Sequence, residues 1–259
     1  MDKLQHAGDL WLLSADTASS ILDAVLESFR IQDHSVHHRL YVCINAREQK
    51  TSTSTSGLTT VVNITAGSER QAASGWKVAG VVSQSDVVKL LADNPAVLGE
   101  GASATLEELG LDVGAAVTVP ATTRVLEAFG HMARDHKSSL GVTDPATGAV
   151  IGNLSASEIR GLAADQFHLL LLPVGEFILV RHNQAPVPAP SEVKSVPARE
   201  DWTAALKGVP LVSVTPAATF SEVLQLLATK HLHRVYVVDD VNKEVSIVTL
   251  TDVLRIVSK

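Results

Sequence analysis

The sequence predicts an α+β fold built from three tandem βαββα repeats. Three observations predict it. Short β-rich runs and helically spaced apolar runs follow one another in the same order three times. Three separate blocks of residues keep register between the copies. Apolar residues make up 46% of the 259 residues and aromatics only 4%, so Ala, Val and Leu must supply a core large enough for one or two domains. The repeats are termed A (7–93), B (105–163) and C (209–259), with residues 164–208 expected as a connecting helix and a proline-rich linker.

Repeat C shows the order most plainly. Residues 211–215 (LVSVT) read as a strand. Residues 219–230 carry Val223, Leu224, Leu227 and Ala228 on one helical side, and Thr219 and Glu222 stand at capping-box spacing before them. Residues 234–238 (RVYVV) and 245–248 (VSIV) are the next strands, separated by turn residues 239–243, and 252–257 opens the last helix. In A the same order is a strand at 10–13, a stripe of Ile21, Leu22, Val25, Leu26 and Phe29, strands at 38–44 and 78–82, and a helix from 86 to 91. In B it is a strand at 116–119, a stripe of Val125, Leu126, Phe129 and Met132, strands at 140–142 and 149–154, and a helix at 158–162.

The register is kept residue by residue. Gly80, Ser83 and Asp86 align with Gly152, Ser155 and Glu158, and with Ser246, Thr249 and Asp252. His38-Arg39-Leu40-Tyr41-Val42 matches His233-Arg234-Val235-Tyr236-Val237, and Ser138-Ser139 stands in that place in B. Two segments fall outside the pattern. Residues 46–76, which include TSTSTSGLTT, read as a long surface loop inserted into A. Residues 185–200 hold Pro186, Pro188, Pro190 and Pro197 and read as an extended linker or a connection packed on the surface.

Composition narrows the functional classes. Lys plus Arg total 21 against 28 Asp plus Glu, a net charge of -7, so a basic nucleic-acid-binding face is not expected. Cys43 is the single cysteine, which excludes an internal disulfide and a Cys-based zinc site. The opening MDKLQHAGDL has no apolar signal-peptide core. The most apolar stretch, 167–180, is broken by His168, Pro173 and Glu176 and is shorter than the roughly 18 residues a membrane span needs, so it reads as a buried element. The expectation is a soluble intracellular protein, cytoplasmic or nuclear, with no membrane contact. No Walker loop, GxSxG or HExxH is present, so no enzyme activity is expected. His34, His37 and His38 cluster, with only Asp33 near them, and no metal site is expected there.

HRVYVVDD followed by SIVTLTDVLRIV resembles the second half of a CBS domain, as do GVVSQSDVVKLL and IGNLSASEIRGL. The His-Arg pair before the second strand of A and C resembles the gamma regulatory subunits of AMP-activated and SNF-related protein kinases, nearest the plant and algal gamma-like branch. The resemblance implies tandem CBS repeats, paired into Bateman modules with ligand clefts between them, of which the B–C pair is one. Gamma subunits hold four units. A, B and C correspond to the second, third and fourth, which leaves A to pair with a second copy in a homodimer or with another chain.

The resemblance also implies a ligand and partners: AMP, ADP or ATP bound as a regulatory ligand, with no other cofactor, and a complex with a protein kinase catalytic subunit and a β-type scaffold subunit. The alternative is a CBS scaffold or interaction module without ligand, in which an exposed apolar patch within 167–180 binds a partner. Carried over residue by residue, the nucleotide-binding positions are Thr249 and Asp252, Ser83 and Asp86, the pairs His233–Arg234 and His38–Arg39, the strand-end residues Thr118 and Thr215, and Ser155. The chemistry is coherent. A helix N-terminus attracts anions, a hydroxyl there bonds phosphate, Arg offers a planar fork to phosphate, and an Asp in the first turn accepts two ribose hydroxyls. The same Ser/Thr-x-x-Asp spacing also makes a near capping box that needs no ligand. Glu158 departs from the Asp pattern by one methylene, and Ser138 and Ser139 remove the charge of the His-Arg pair from B.

Overall fold

The computed structural model describes residues 5–7, 10–13, 39–45, 60–64, 76–111, 116–196 and 199–258. The first elements are β1 (Gln5–Ala7), β2 (Leu10–Leu13), β3 (Arg39–Asn45), β4 (Thr60–Ile64), β5 (Trp76–Ser83) and α1 (Gln84–Asp93). Then come β6 (Thr118–Pro120), α2 (Val125–Arg134), β7 (Ser139–Thr143), β8 (Val150–Ser155) and the 3-10 helices Ala156–Gly161 and Ala164–Leu171. α3 (Val174–Arg181), α4 (Trp202–Leu206), β9 (Ser213–Val214), α5 (Phe220–Thr229), β10 (Arg234–Val238), β11 (Glu244–Thr249) and α6 (Leu250–Val257) complete the chain. No described helix is long and apolar enough to cross a membrane. The chain divides into two compact units, one of residues 1–104, 219–234 and 248–259, the other of 105–218 and 235–247.

In the first unit, α1 packs against α5 and α6. Helical spacing explains the contact. Val87, Val88, Leu91 and Ala92 are buried on α1, Phe220, Val223, Leu224 and Leu227 on α5, and Leu250, Val253 and Leu254 on α6. Two amides cross these helices: Gln225 Nε2 donates to the Ala92 carbonyl at 2.6 Å, and Gln84 Nε2 to Thr251 Oγ1 at 3.4 Å. The strands of A form a sheet in the order β1-β2-β4-β3-β5.

That order corrects the expectation of a loop over 46–76. Residues 60–64 (TVVNI) are rich in β-branched side chains and form β4, and Trp76 already belongs to β5. In B the first strand lies parallel to the second, Thr118 opposite Gly141, and in C Ser213 lies opposite Tyr236 in the same way. In A, β4 holds that place instead. It runs antiparallel to β3, Val42 opposite Val61, and β2 pairs on its far side, Leu12 opposite Val62. The first strand of A is therefore two strand spacings, about 10 Å, from the second instead of one. The stripe from Ile21 to Phe29 lies outside the described residues.

The second unit is built on the sheet β6-β7-β8. Leu140, Val142 and Leu154 face Phe177, Ile178, Trp202 and Leu206 in one buried cluster. α3 is buried along its length from Val174 to Val180, as expected of a buried element; of the exposed patch that the scaffold alternative drew within 167–180, only Phe167 and Leu171, before α3, are exposed. Two polar devices fix the connecting segment to B. The Asp144 carboxylate, in the turn after β7, accepts Thr203 Oγ1–H at 2.6 Å, Thr203 N–H at 3.2 Å and Ala146 N–H at 2.8 Å. These donors, the Thr203 hydroxyl above all, hold it below the usual carboxylate range despite its burial. Buried Glu176 on α3 is gripped by Arg199 through both carboxylate oxygens, at 2.5 and 3.2 Å. α4 lays the Trp202 ring against bare Gly175, where a Cβ would stand 2.2 Å from Trp202 Cζ3.

Strands of C join the same unit. Val150, Tyr236 and Val238 form a second cluster with Ala116, Leu211 and Ile247. Tyr236 OH donates to Asn153 Oδ1 at 2.8 Å, and Val150 N–H donates to the Asn242 carbonyl at 2.9 Å.

Candidate functional site

Each repeat carries one step from its last strand into the following helix, and the nominated residues gather there. In C, Thr249 ends β11 in extended conformation (φ -110°, ψ 167°). Its hydroxyl accepts the Asp252 N–H at 3.3 Å. Asp252 Oδ2 in return accepts the Thr249 N–H at 3.0 Å and the Thr249 hydroxyl at 2.6 Å. This is a complete capping box, and Asp in the first turn also favours the helix dipole. Asp252 Oδ1 accepts from Arg255 at 3.2 Å. The Leu250 N–H donates to the His233 carbonyl at 3.2 Å, so the basic pair His233–Arg234 starts β10 beside this helix start. His233 is exposed and Arg234 half-buried.

The step of A repeats the geometry. Asp86 Oδ2 accepts the Ser83 N–H at 2.8 Å and the Ser83 hydroxyl at 2.7 Å, and Ser83 Oγ accepts the Asp86 N–H at 3.3 Å. Arg39 lies opposite Ser83 across the β3–β5 ladder, and His38 lies outside the described residues.

The step of B keeps the backbone and changes the side chains. Ala156 N–H donates to the Ser138 carbonyl at 2.9 Å, the counterpart of the Leu250–His233 bond, and Ser139 lies opposite Ser155. Ser155 Oγ accepts from the Ser157 N–H at 3.3 Å and meets the Ser157 hydroxyl at 2.9 Å. No capping box closes. The helix expected at 158–162 is instead the 3-10 helix Ala156–Gly161. Glu158 Oε2 is buried without a hydrogen-bond partner. Burial pushes the carboxyl up to about 7, against the pull of Arg181 and the Ser155 N–H. His182, next to Arg181, is held below its ordinary value by burial and by that guanidinium.

The strand-end residues stand farther off. Thr118 lies opposite Gly141, and Gly141 opposite Asn153, so a whole strand separates Thr118 from β8. Thr215 follows β9, is exposed, and accepts the Ala218 N–H at 3.0 Å. Two residues were missed from sequence. Arg255 stands three residues after Asp252, a spacing that signals a helical ion pair. Arg181 comes from the connecting segment, and no local spacing announces it. Among the described residues, no group of three or more His, Cys, Asp or Glu is placed to hold a metal ion.

Residues 206–259 match the family model of the CBS domain. These residues carry a CBS domain. The match covers β9, α5, β10, β11 and α6, and so includes the step at Thr249 and Asp252. Two curated relatives from Arabidopsis thaliana are similar to it. One is named SNF1-related protein kinase regulatory subunit gamma-like, 30% identical over 135 residues, covering 51% of this chain and 33% of that one. The other, named SNF1-related protein kinase regulatory subunit gamma-1-like, is 28% identical over 139 residues, covering 53% and 28%. The chain thus spans about a third of the length of the curated relatives it matches. Among solved structures, a protein of Methanocaldococcus jannaschii described as a proposed archaeal homologue of g-AMPK aligns with TM-score 0.44 and 15% identity, over 69% of this chain and 55% of that one. A CBS domain pair solved in complex with methylthioadenosine and S-adenosyl-L-methionine aligns with TM-score 0.37 and 15% identity, over 59% and 94%.

Proposed function

We propose that this CBS-domain chain is a non-catalytic regulatory subunit that binds AMP, ADP or ATP at its strand-to-helix steps. It would act in an energy-sensing Ser/Thr kinase complex with a catalytic and a β-type subunit. The observation that carries the reading is the step of C. A hydroxyl, a carboxylate and a His-Arg pair gather around the start of an eight-residue helix, whose first N–H groups favour an anion. A ribose diol would take Asp252 Oδ1 from Arg255 while Oδ2 stays in the cap, and Arg234 would serve the phosphates. The likeness to kinase regulatory subunits over half of the chain supports the kinase partner. Regulation requires that the ligand bind two states of the complex unequally.

The test is calorimetric titration with AMP and then ATP, on the wild type and Asp252→Ala. Saturable binding that the substitution removes is the expected result. A ligand at about 100 times its dissociation constant stabilises by about 2.7 kcal/mol, so a thermal melt reads the same answer. No heat and no melting shift at millimolar nucleotide would overturn the reading. A second reading, a scaffold without ligand, draws on one observation: both carboxylate oxygens of Asp252 are already bonded within the protein. Under it, Asp252→Ala changes stability alone.

A further inference from the structure

The 3-10 helix Ala156–Gly161 has no fully buried residue, and Glu158 alone in it is not exposed. Its buried oxygen, Oε2, meets no donor. Beside it, Arg181 at the end of α3 forms no ion pair with the described residues. Its guanidinium lies against bare Gly161, where a Cβ would stand 2.5 Å from Arg181 Nη2. At the start of the turn Ser155 Oγ accepts the Ser157 N–H at 3.3 Å and meets the Ser157 hydroxyl at 2.9 Å, and the Ser155 N–H faces the Glu158 carboxyl. Ala156 N–H is tied to the Ser138 carbonyl, and Leu162 N–H closes back on Ile159 within the turn itself.

We propose that this turn of repeat B is a proton-operated latch, closed against α3 while Glu158 is neutral and swinging outward when Glu158 ionises. A neutral carboxyl tolerates a buried oxygen without a donor at modest cost, whereas a carboxylate there is far more costly. The cheapest relief is to bring Glu158 to water, because the turn buries nothing else that would be lost. Burial outweighs the Arg181 attraction in the closed geometry, which places the change near neutrality. Among the described residues, Arg181 is the charged group whose field acts on Glu158, and neighbouring His182 is itself biased toward neutrality. The latch needs no ligand, so it stands or falls separately from nucleotide binding.

The test is hydrogen exchange of the intact chain at about pH 6 and about pH 8, corrected for the intrinsic pH dependence of exchange, on wild type, Glu158→Gln and Arg181→Gln. In the wild type, amides 157–162 should lose about tenfold in protection at the higher pH. Glu158→Gln should stay protected at both. Arg181→Gln, having lost an attraction that favours the carboxylate, should open at a higher pH than the wild type. Equal protection in the wild type at both pH values, or a pH response that survives in Glu158→Gln, would overturn the latch.

Discussion

The helix starts of repeats C and B open on nearly the same backbone, and their first-turn carboxylates differ by one methylene. In both, the N–H after the capping residue donates to the residue before the middle strand, and Thr249 and Ser155 have nearly the same φ (-110° and -111°). In C the Asp252 carboxylate reaches back to both donors of Thr249 and an α-helix follows. In B one oxygen of the longer Glu158, Oε2, is buried without a donor, and the chain makes only a six-residue 3-10 turn. A carboxylate in the first turn supports the helix when its length lets it close the cap, and burdens it when it overshoots.

Four substitutions sharpen or break this contrast. The largest effect is expected for Glu158→Gln. The folded-state proton affinity of Glu158 is raised above its ordinary value, so stability tied to its proton is fully present at low pH and is lost as pH rises through about 7. The variant should therefore be about 1–3 kcal/mol more stable than the wild type at pH 8 and show no gain at pH 4. Denaturant melts at the two pH values decide it, and a variant less stable at pH 8 breaks the contrast. Next in size is Thr249→Ala, which removes the hydroxyl of a complete box and should cost about 1 kcal/mol, while Ser155→Ala should cost less. Equal losses would mean that the two caps are energetically alike. The smallest effect belongs to Arg255→Ala. Its ion pair with Asp252 is exposed on the Arg side, so the loss should be about 0.5 kcal/mol or less and should fade with added salt.

How legible each feature was depended on how local its cause is. The caps at Ser83 and Thr249 could be read because Ser/Thr-x-x-Asp is a contact between residues three apart. The closeness of Arg39 to Ser83 and of His233 to the α6 start could be read because repeated register carries a ladder with it. β4 was hidden because the polar run TSTSTSGLTT around its start looks like loop, while its stability comes from pairing with distant β2 and β3. The burial of α3 was legible in its apolar run, but what covers it was not. An all-round apolar octet calls for cover, and only the approach of Trp202 and the sheet supplies it. Glu158 was seen to depart from the Asp pattern, but the unpartnered Oε2 and the nearness of Arg181 depend on where a distant helix ends.

The bare Cα of Gly175 beneath Trp202 has a consequence for how this sequence can drift. Any side chain at 175 would occupy space the indole already fills, so the two positions hold a single volume between them. A lineage can enlarge residue 175 only after shrinking residue 202, and the reverse order passes through a clash. History at one site is therefore recorded at the other, and together they act as a ratchet on the path that connects relatives of this protein.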